Sequence, residues 1–279
     1  MKRKKTTRVV KSADYRDRFG LSHHPFDKQF LRLNHVENDG SKRLEERFGW
    51  LLSERGIGLL TGESGVGKTA ALDAIARKLP SHRHRVVYIE DSGASTTDIF
   101  RYLAYELDLE PAFRRAALWR GLKERIVKLD EENDQQIILI IDDAHRLPRS
   151  FLTSLGAFMN FTLDSKELLT IWLVGDSKLS GTLGMAAYKH LQTRVRLKVH
   201  LEPLNRDELS EYVESCLANA GCKHQVLADT ALDAVFHLTR GVPRIAAKLL
   251  GISLRVAHKK NKDIVCEQII EEARKEILL

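Results

Sequence analysis

Eight consecutive residues, Gly62-Glu63-Ser64-Gly65-Val66-Gly67-Lys68-Thr69, constrain this chain more than any other feature. They fit the spacing GxxxxGK[ST], and their setting fits as well. Residues 57–60 read as a short buried strand leading into them, and residues 68–79 as a helix that stops before Pro80. Glycines at these positions let backbone N–H groups wrap a phosphate where a Cβ would clash. Lys68 then places its charge on the β and γ phosphates, and the Thr69 hydroxyl ligates Mg²⁺. Gly62 through Thr69, with Ala70 in the first helical turn, are therefore expected to bind ATP with Mg²⁺.

The elements around this loop alternate. Apolar strands are predicted at 57–60, 85–90, 137–141, 169–174 and 195–201. Amphipathic helices are predicted at 41–54, with Ser41 as N-cap, and at 68–79, 96–107, 118–129 and 151–161. Short apolar strands separated by helices imply a parallel five-stranded sheet covered on both faces. Beyond Pro203 no strand is evident. Helices are predicted at 207–220, 229–239, 243–258 and 264–278, and Asn205 with Glu208 outlines a capping box. The expected organisation is a basic arm over 1–14, a loop-rich strap over 15–40, an α/β nucleotide domain over 41–202 and a small all-helical lid over 203–279.

Composition narrows the class. Charged residues make up 30% of the chain and no run approaches the roughly 18 apolar residues of a membrane span, so a soluble, non-membrane protein is expected. The basic N-terminus has no apolar run behind it, which leaves the cytoplasm as the default compartment. Cys216, Cys222 and Cys266 are too scattered for a disulfide framework, and Cys216 and Cys222 near His224 lack the four tight ligands of structural zinc. The net charge of +7 is local: Lys2, Arg3, Lys4, Lys5, Arg8 and Lys11 carry six of the seven surplus charges. An arm of this kind suits phosphate backbones or an acidic partner, or simply keeps the terminus solvated.

A second constellation ends the third strand, Ile137-Ile138-Leu139-Ile140-Ile141-Asp142-Asp143-Ala144-His145. A buried strand that delivers a carboxylate to its C-terminal edge suits a metal site, with Asp142 holding Mg²⁺ through a water ligand. Asp143 would orient the attacking water. Paired acids after a strand can instead cap the next helix.

Together the P-loop, the Asp-Asp strand end, the strand ending Leu173-Val174-Gly175-Asp176 and the helical lid resemble an AAA+ ATPase. Further strings resemble the ExeA-like group, which includes ATPases of bacterial transposons (TnsC-like, TniB-like and MuB-like). These are Tyr15…Phe19-Gly20-Leu21…Pro25-Phe26, Asp142-Asp143-Ala144-His145-Arg146-Leu147, Asn160-Phe161…Asp164-Ser165, His200-Leu201-Glu202-Pro203-Leu204 and Gly241-Val242-Pro243-Arg244. The resemblance implies Asp176 as a sensor of the γ-phosphate and Arg244 as a lid arginine reaching the nucleotide. It implies Arg194 as a finger for a neighbouring subunit, with Arg196 as its rival. It also marks a departure, because Asp143 stands where such enzymes usually carry Glu, and slow hydrolysis is expected.

Three functions follow from that resemblance. In the first, ATP drives a homo-oligomer, ring or helical filament, on double-stranded DNA, where it recruits a transposase alongside a target-selector protein. DNA contacts would come from Lys2, Arg3, Lys4 and Lys5 and from Thr96, Thr97, Arg114, Arg115, Arg120 and Lys123, with Arg114 and Arg115 taken as a loop pair. The second is a secretion or pilus-assembly ATPase, against which the absence of a following membrane span is weighed. The third is a signal-transducing NTPase that binds proteins and not DNA.

Overall fold

The structure is a computed structural model describing residues 14–27, 38–90, 94–161 and 167–277. The arm residues Lys2, Arg3, Lys4 and Lys5 lie outside the described residues. In chain order the helices are α1 (Tyr15–Phe19), α2 (Asp39–Glu54), α3 (Lys68–Arg77), α4 (Thr96–Glu106), α5 (Arg115–Asn133) and α6 (Arg149–Phe158). There follow α7 (Lys178–Leu183), α8 (Lys189–Gln192), α9 (Arg206–Asn219), α10 (Asp229–Thr239), α11 (Pro243–Lys259) and α12 (Glu267–Lys275). The strands are β1 (Gly56–Gly62), β2 (His84–Ile89), β3 (Gln136–Ile141), β4 (Leu169–Gly175) and β5 (Val195–Leu201). Two compact units result, residues 37–203 and a helical unit in which residues 204–279 are joined by the N-terminal segment.

In the α/β unit all four strand pairings are parallel and the order is β2-β3-β4-β1-β5. The unbroken apolar run of β3 has a simple cause. Successive side chains of a strand point to opposite faces, and here both faces are covered. Ile137, Leu139 and Ile141 enter one core with Phe100, Phe151 and Phe158, whereas Ile138 and Ile140 enter the other with Phe48, Leu72 and Trp172. On the second face Phe48 of α2 stacks on Trp172 of β4, ring centres 5.5 Å apart. Gly58 makes room for that pair, since a Cβ there would fall 2.7 Å from Leu51 Cδ2 and 2.9 Å from the Trp172 ring. By contrast, edge strand β5 has only one covered side, and its residues alternate between half-buried and exposed until Leu201.

Several local expectations are corrected. The N-cap of α2 is Asn38, not Ser41: Asn38 Oδ1 accepts from Ser41 N–H at 2.7 Å while Ser41 Oγ accepts from Asn38 N–H at 2.8 Å. Ser41 is thus the third helical residue of a capping box, which satisfies two donors and lengthens the helix by a turn. Helix α5 opens at Arg115, so Arg114 and Arg115 are not a loop pair; Arg114 is the N-cap and Arg115 the first helical residue. The short helices α7 and α8 were not anticipated, being under two turns with no sustained period. The last helix begins at Glu267, because Val265 is drawn into a parallel bridge with Leu227.

Of the expected strap, residues 14–27 are described, and they pack on the helical unit: Tyr15, Phe19 and Leu21 are buried in one core with Leu209, Val213, Ala246, Leu250 and Ile270. Arg18 Nε holds Asp263 at 2.8 Å, and Ser22 donates to the Ala220 carbonyl at 2.9 Å. Burial pushes the Cys216 thiol of this unit up to about 12, which leaves it protonated and inert. Among the described residues no group of three or more His, Cys, Asp or Glu is placed to hold a metal, and no helix is long and apolar enough to cross a membrane.

Candidate nucleotide site

Because the sheet is parallel, β1, β3 and β4 deliver their C-terminal ends to one edge. Gly62 closes β1, and its backbone passes so near β5 that a Cβ would lie 2.4 Å from the Leu201 carbonyl oxygen. Gly65 and Gly67 have φ of +91° and +100°, values that favour glycine, and the space beside Gly67 is open. Glu63 and Ser64 are exposed between Gly62 and Gly65, Val66 is buried beneath the loop, and Ala70 lies half-buried in the first turn of α3. Gly67 is the N-cap of α3 and offers no side-chain cap, so the first-turn donors of a ten-residue helix stay available at the loop. Lys68 Nζ spans the loop, donating to the carbonyls of Gly62 at 2.9 Å and Glu63 at 2.8 Å.

Thr69 and Asp142, 73 residues apart, meet at this edge: Thr69 Oγ1 donates to Asp142 Oδ2 at 2.5 Å. The other carboxylate oxygen accepts the Asp143 N–H at 2.8 Å, which fixes its rotamer. A hydroxyl and a carboxylate so close are hard oxygen ligands of the kind Mg²⁺ takes, so the residues present fit a magnesium–nucleotide complex. Bound there, Mg²⁺ with ATP would supply a polarised phosphoryl group; the chain supplies the cradle, the Lys68 charge and the Asp142 anchor.

Asp143 turns sharply, with φ +47° and ψ +36°, and its carboxylate lies 3.7 Å from the Arg146 guanidinium. Asp is among the few side chains that tolerate this left-handed region, which gives a backbone reason for Asp where Glu is usual. Glu at this position would reach roughly 1.5 Å further, by the length of one C–C bond. Asp143→Glu is expected to raise the steady-state ATPase rate by about tenfold, a part of what a well-placed base contributes, at about 1 kcal/mol in stability. An unchanged or lower rate would remove Asp143 from the water-orienting role.

Asp176 follows β4, which lies between β1 and β3; Gly175 pairs in register with Thr61. The sensor candidate is therefore set between the P-loop strand and the Asp142 strand. Its Oδ1 accepts the Lys178 N–H at 2.9 Å, and Oδ2 is 4.0 Å from His145 Nε2. His145 has no role assigned from the motif, yet its ring lies within 4.0 Å of the Asp176 carboxylate; only its place in Asp-Asp-Ala-His could have marked it.

Arg194 precedes β5 and so lies at the sheet edge opposite the P-loop of its own chain. Its guanidinium is held by Glu167 and Asn160, with the Arg194 and Glu167 side chains both about one-fifth exposed. That commits the expected finger inside its own subunit. Arg196, two residues on, is exposed and makes no side-chain hydrogen bond or ion pair among the described residues. Arg244 is the second residue of α11 in the helical unit, and it is exposed.

The DNA candidates divide. Thr96 is buried and shares a hydrogen bond with Ser150 Oγ at 2.8 Å, and Thr97 is half-buried. Lys123 donates to the Asn160 carbonyl and lies 5.4–6.0 Å from the ring centres of Trp119, Phe158 and Phe161. Burial against them draws its pKa below the ordinary lysine value. Arg115 donates to Ser154 Oγ at 2.8 Å, and Arg120 is exposed near Glu124 at 3.8 Å.

Comparison with known proteins agrees with this geometry. Residues 51–183 match the family model described as an AAA domain. The chain is 27% identical over 238 residues to General secretion pathway protein A of Aeromonas hydrophila, a match covering 83% of this chain and 42% of that protein. It thus spans about two fifths of that relative's length. Among solved structures, Cdc6p from Pyrobaculum aerophilum superimposes with a TM-score of 0.70 at 16% identity, over 91% of this chain and 71% of the other. Aeropyrum pernix ORC1, described in complex with DNA, gives 0.68 at 17%, over 89% and 69%. The Thermotoga maritima RuvB Holliday junction branch migration motor gives 0.61 at 19%, over 89% and 73%. At these identities the likeness establishes the fold alone, that of an AAA-type P-loop NTPase.

Proposed function

We propose that this AAA+ chain is an ATP-dependent regulator of DNA transposition that assembles on duplex DNA and engages a transposase together with a target-selector protein. The observation that carries the nucleotide step is the 2.5 Å contact of Thr69 with Asp142, which joins the P-loop to the end of β3. ATP binding at this junction replaces the loop's own carbonyls as partners of Lys68, and Asp143 holds the attacking water. Of the two finger candidates, Arg196 is the one that can reach a neighbouring copy without first breaking the contacts of Arg194 to Glu167 and Asn160. Arg244 is proposed to follow the nucleotide from the helical unit.

The DNA step is supported by the ExeA-like strings, by the cationic residues 1–11, and by a fold neighbour described in complex with DNA. A second reading, a secretion ATPase, is favoured by the Aeromonas hydrophila relative. The two separate on salt. With an ATP analogue and Mg²⁺, affinity for a random duplex is expected to fall by at least about tenfold between 50 and 200 mM salt, with a linear log–log dependence. Sedimentation should show assemblies that require both nucleotide and DNA. No binding at 50 mM salt would discard the DNA reading and leave the secretion reading.

A further inference from the structure

The start of α5 presents an aromatic residue and a row of cations that the nucleotide site does not use. Phe113 is 90% exposed, the highest value among the large hydrophobic residues described. Its backbone is held, because Arg101 Nη2 donates to the Phe113 carbonyl at 3.4 Å. Beside it Arg114 is exposed and makes no side-chain hydrogen bond or ion pair among the described residues. Arg115 is held by a neutral partner, Ser154, and its guanidinium lies 5.5 Å from the Trp119 ring centre. Lys123 is held by the Asn160 carbonyl and aromatic rings. None of these three cations is paired with a carboxylate among the described residues. Nearby acids are mostly engaged: Asp108 faces Arg85 at 2.6 Å and Arg125 at 3.7 Å, Glu124 faces Arg120, and Glu110 is exposed.

Exposure on this scale leaves the whole Phe113 ring in water, where burial against a partner is favourable by the hydrophobic effect. The surrounding charge selects the partner. Arg114 and Arg115 next to one bare aromatic ring, with Lys123 two turns along the same helix, match a polyanion that carries flat apolar faces between its charges, which describes a nucleic acid. Arg115 and Lys123 are two helical turns apart, roughly 12 Å along the axis, the rise of about three to four base pairs. Proteins that bend a duplex insert apolar side chains of this kind at a base step.

We propose that Phe113 is a wedge that stacks into a base step of duplex DNA, while Arg114, Arg115 and Lys123 contact phosphates of the flanking backbone. This rests on the DNA-binding reading above and deepens it, because it separates a stacking contact from the charge contacts. A stacking residue contributes affinity without releasing counterions, whereas each arginine on a phosphate contributes to the salt slope.

The test uses the full chain with Mg²⁺, an ATP analogue and duplexes that carry 2-aminopurine at successive positions. Phe113→Ala is expected to weaken binding about tenfold, as base–aromatic stacking does, with an unchanged salt slope, and to lose the 2-aminopurine fluorescence rise. Phe113→Trp should retain both affinity and the rise. Arg114→Ala should lower the log–log salt slope by about one and keep the rise. Because the ring is exposed, Phe113→Ala should melt like the parent and keep its basal ATPase rate. If the parent chain shows no duplex binding at low salt, the underlying DNA reading fails and the wedge with it. If the parent binds while Phe113→Ala binds equally and keeps the fluorescence rise, the wedge is overturned and the DNA reading stands. A salt slope that falls as much for Phe113→Ala as for Arg114→Ala would also overturn it, by showing that the loop rearranged.

Discussion

Replacing Lys68 with alanine is expected to reduce ATP turnover by at least about 100-fold, the loss typical of removing one preorganised charge from a phosphoryl site. The geometry gives the reason. The Nζ atom already stands over the loop, bonded to the carbonyls of Gly62 and Glu63, so the charge is in place to exchange those carbonyls for phosphate oxygens. Alanine leaves two carbonyl oxygens short of a donor and the phosphates short of a cation. The α3 start survives, since Ala71 N–H still bonds the Gly67 carbonyl at 2.9 Å, and alanine favours a helix. Thermal stability should therefore change by no more than about 1–2 kcal/mol. A fluorescent-nucleotide titration with a coupled ATPase assay checks both halves. Parent-like turnover would refute the phosphate role, and an unfolded variant would show that the lysine is mainly structural.

Gly241→Ala carries the largest expected effect on stability. Gly241 has φ +73°, and a Cβ there would lie 1.9 Å from the Leu204 carbonyl oxygen and 2.9 Å from its carbon. Neither neighbour is a flexible tip. The Leu204 N–H donates to the Gly241 carbonyl at 3.0 Å, so the two backbones are already bonded and cannot part cheaply. The left-handed conformation alone costs an alanine about 1–2 kcal/mol, and the clash adds a backbone shift at the start of α11. A loss of at least about 3 kcal/mol is expected, confined first to the helical unit. Trp50, Trp119 and Trp172 all lie in the α/β unit, so tryptophan fluorescence would miss the event. Hydrogen exchange across α9 to α12 reads it directly, and parent-like protection there would contradict the steric argument.

Lys68 and Gly241 both stand in short sequence motifs, yet different things make them decisive. Lys68 belongs to a contiguous string whose chemistry is local: glycines supply the backbone freedom, the lysine the charge, and the strand and helix on either side the frame. The same holds for β3, where an unbroken apolar run before Asp142 already implies a strand covered on both sides. The helix period in α11 and the Asn205–Glu208 box, whose Asn205 N–H reaches Glu208 Oε2 at 2.8 Å, are equally local. The position of Gly241 in a turn was legible too, but not its contact with Leu204, 37 residues earlier.

Features built from distant segments were misread or missed. One misreading was local: Ser41 lost the capping position because Asn38, three residues before it, forms the reciprocal pair. The contacts of Arg194 with Glu167 and Asn160 could not be read from the chain. The partners of Tyr15, Phe19 and Leu21, among them Leu209, Ala246 and Ile270, lie far along the chain and could not be named from spacing. Phe113 could have been noticed beside Arg114 and Arg115, but exposure cannot be read from composition.

Residues adjacent along the chain are enough to specify the phosphate loop, the parallel order of strand and helix and the carboxylate at the end of β3. Folding alone brings Thr69 to Asp142, holds Arg194 against Glu167 and Asn160 and leaves Phe113 bare beside Arg114 and Arg115. Those facts depend on which distant groups the folded core brings together, and side-chain partners within a few ångströms are set by packing across the sheet and between helices, not by spacing along the backbone.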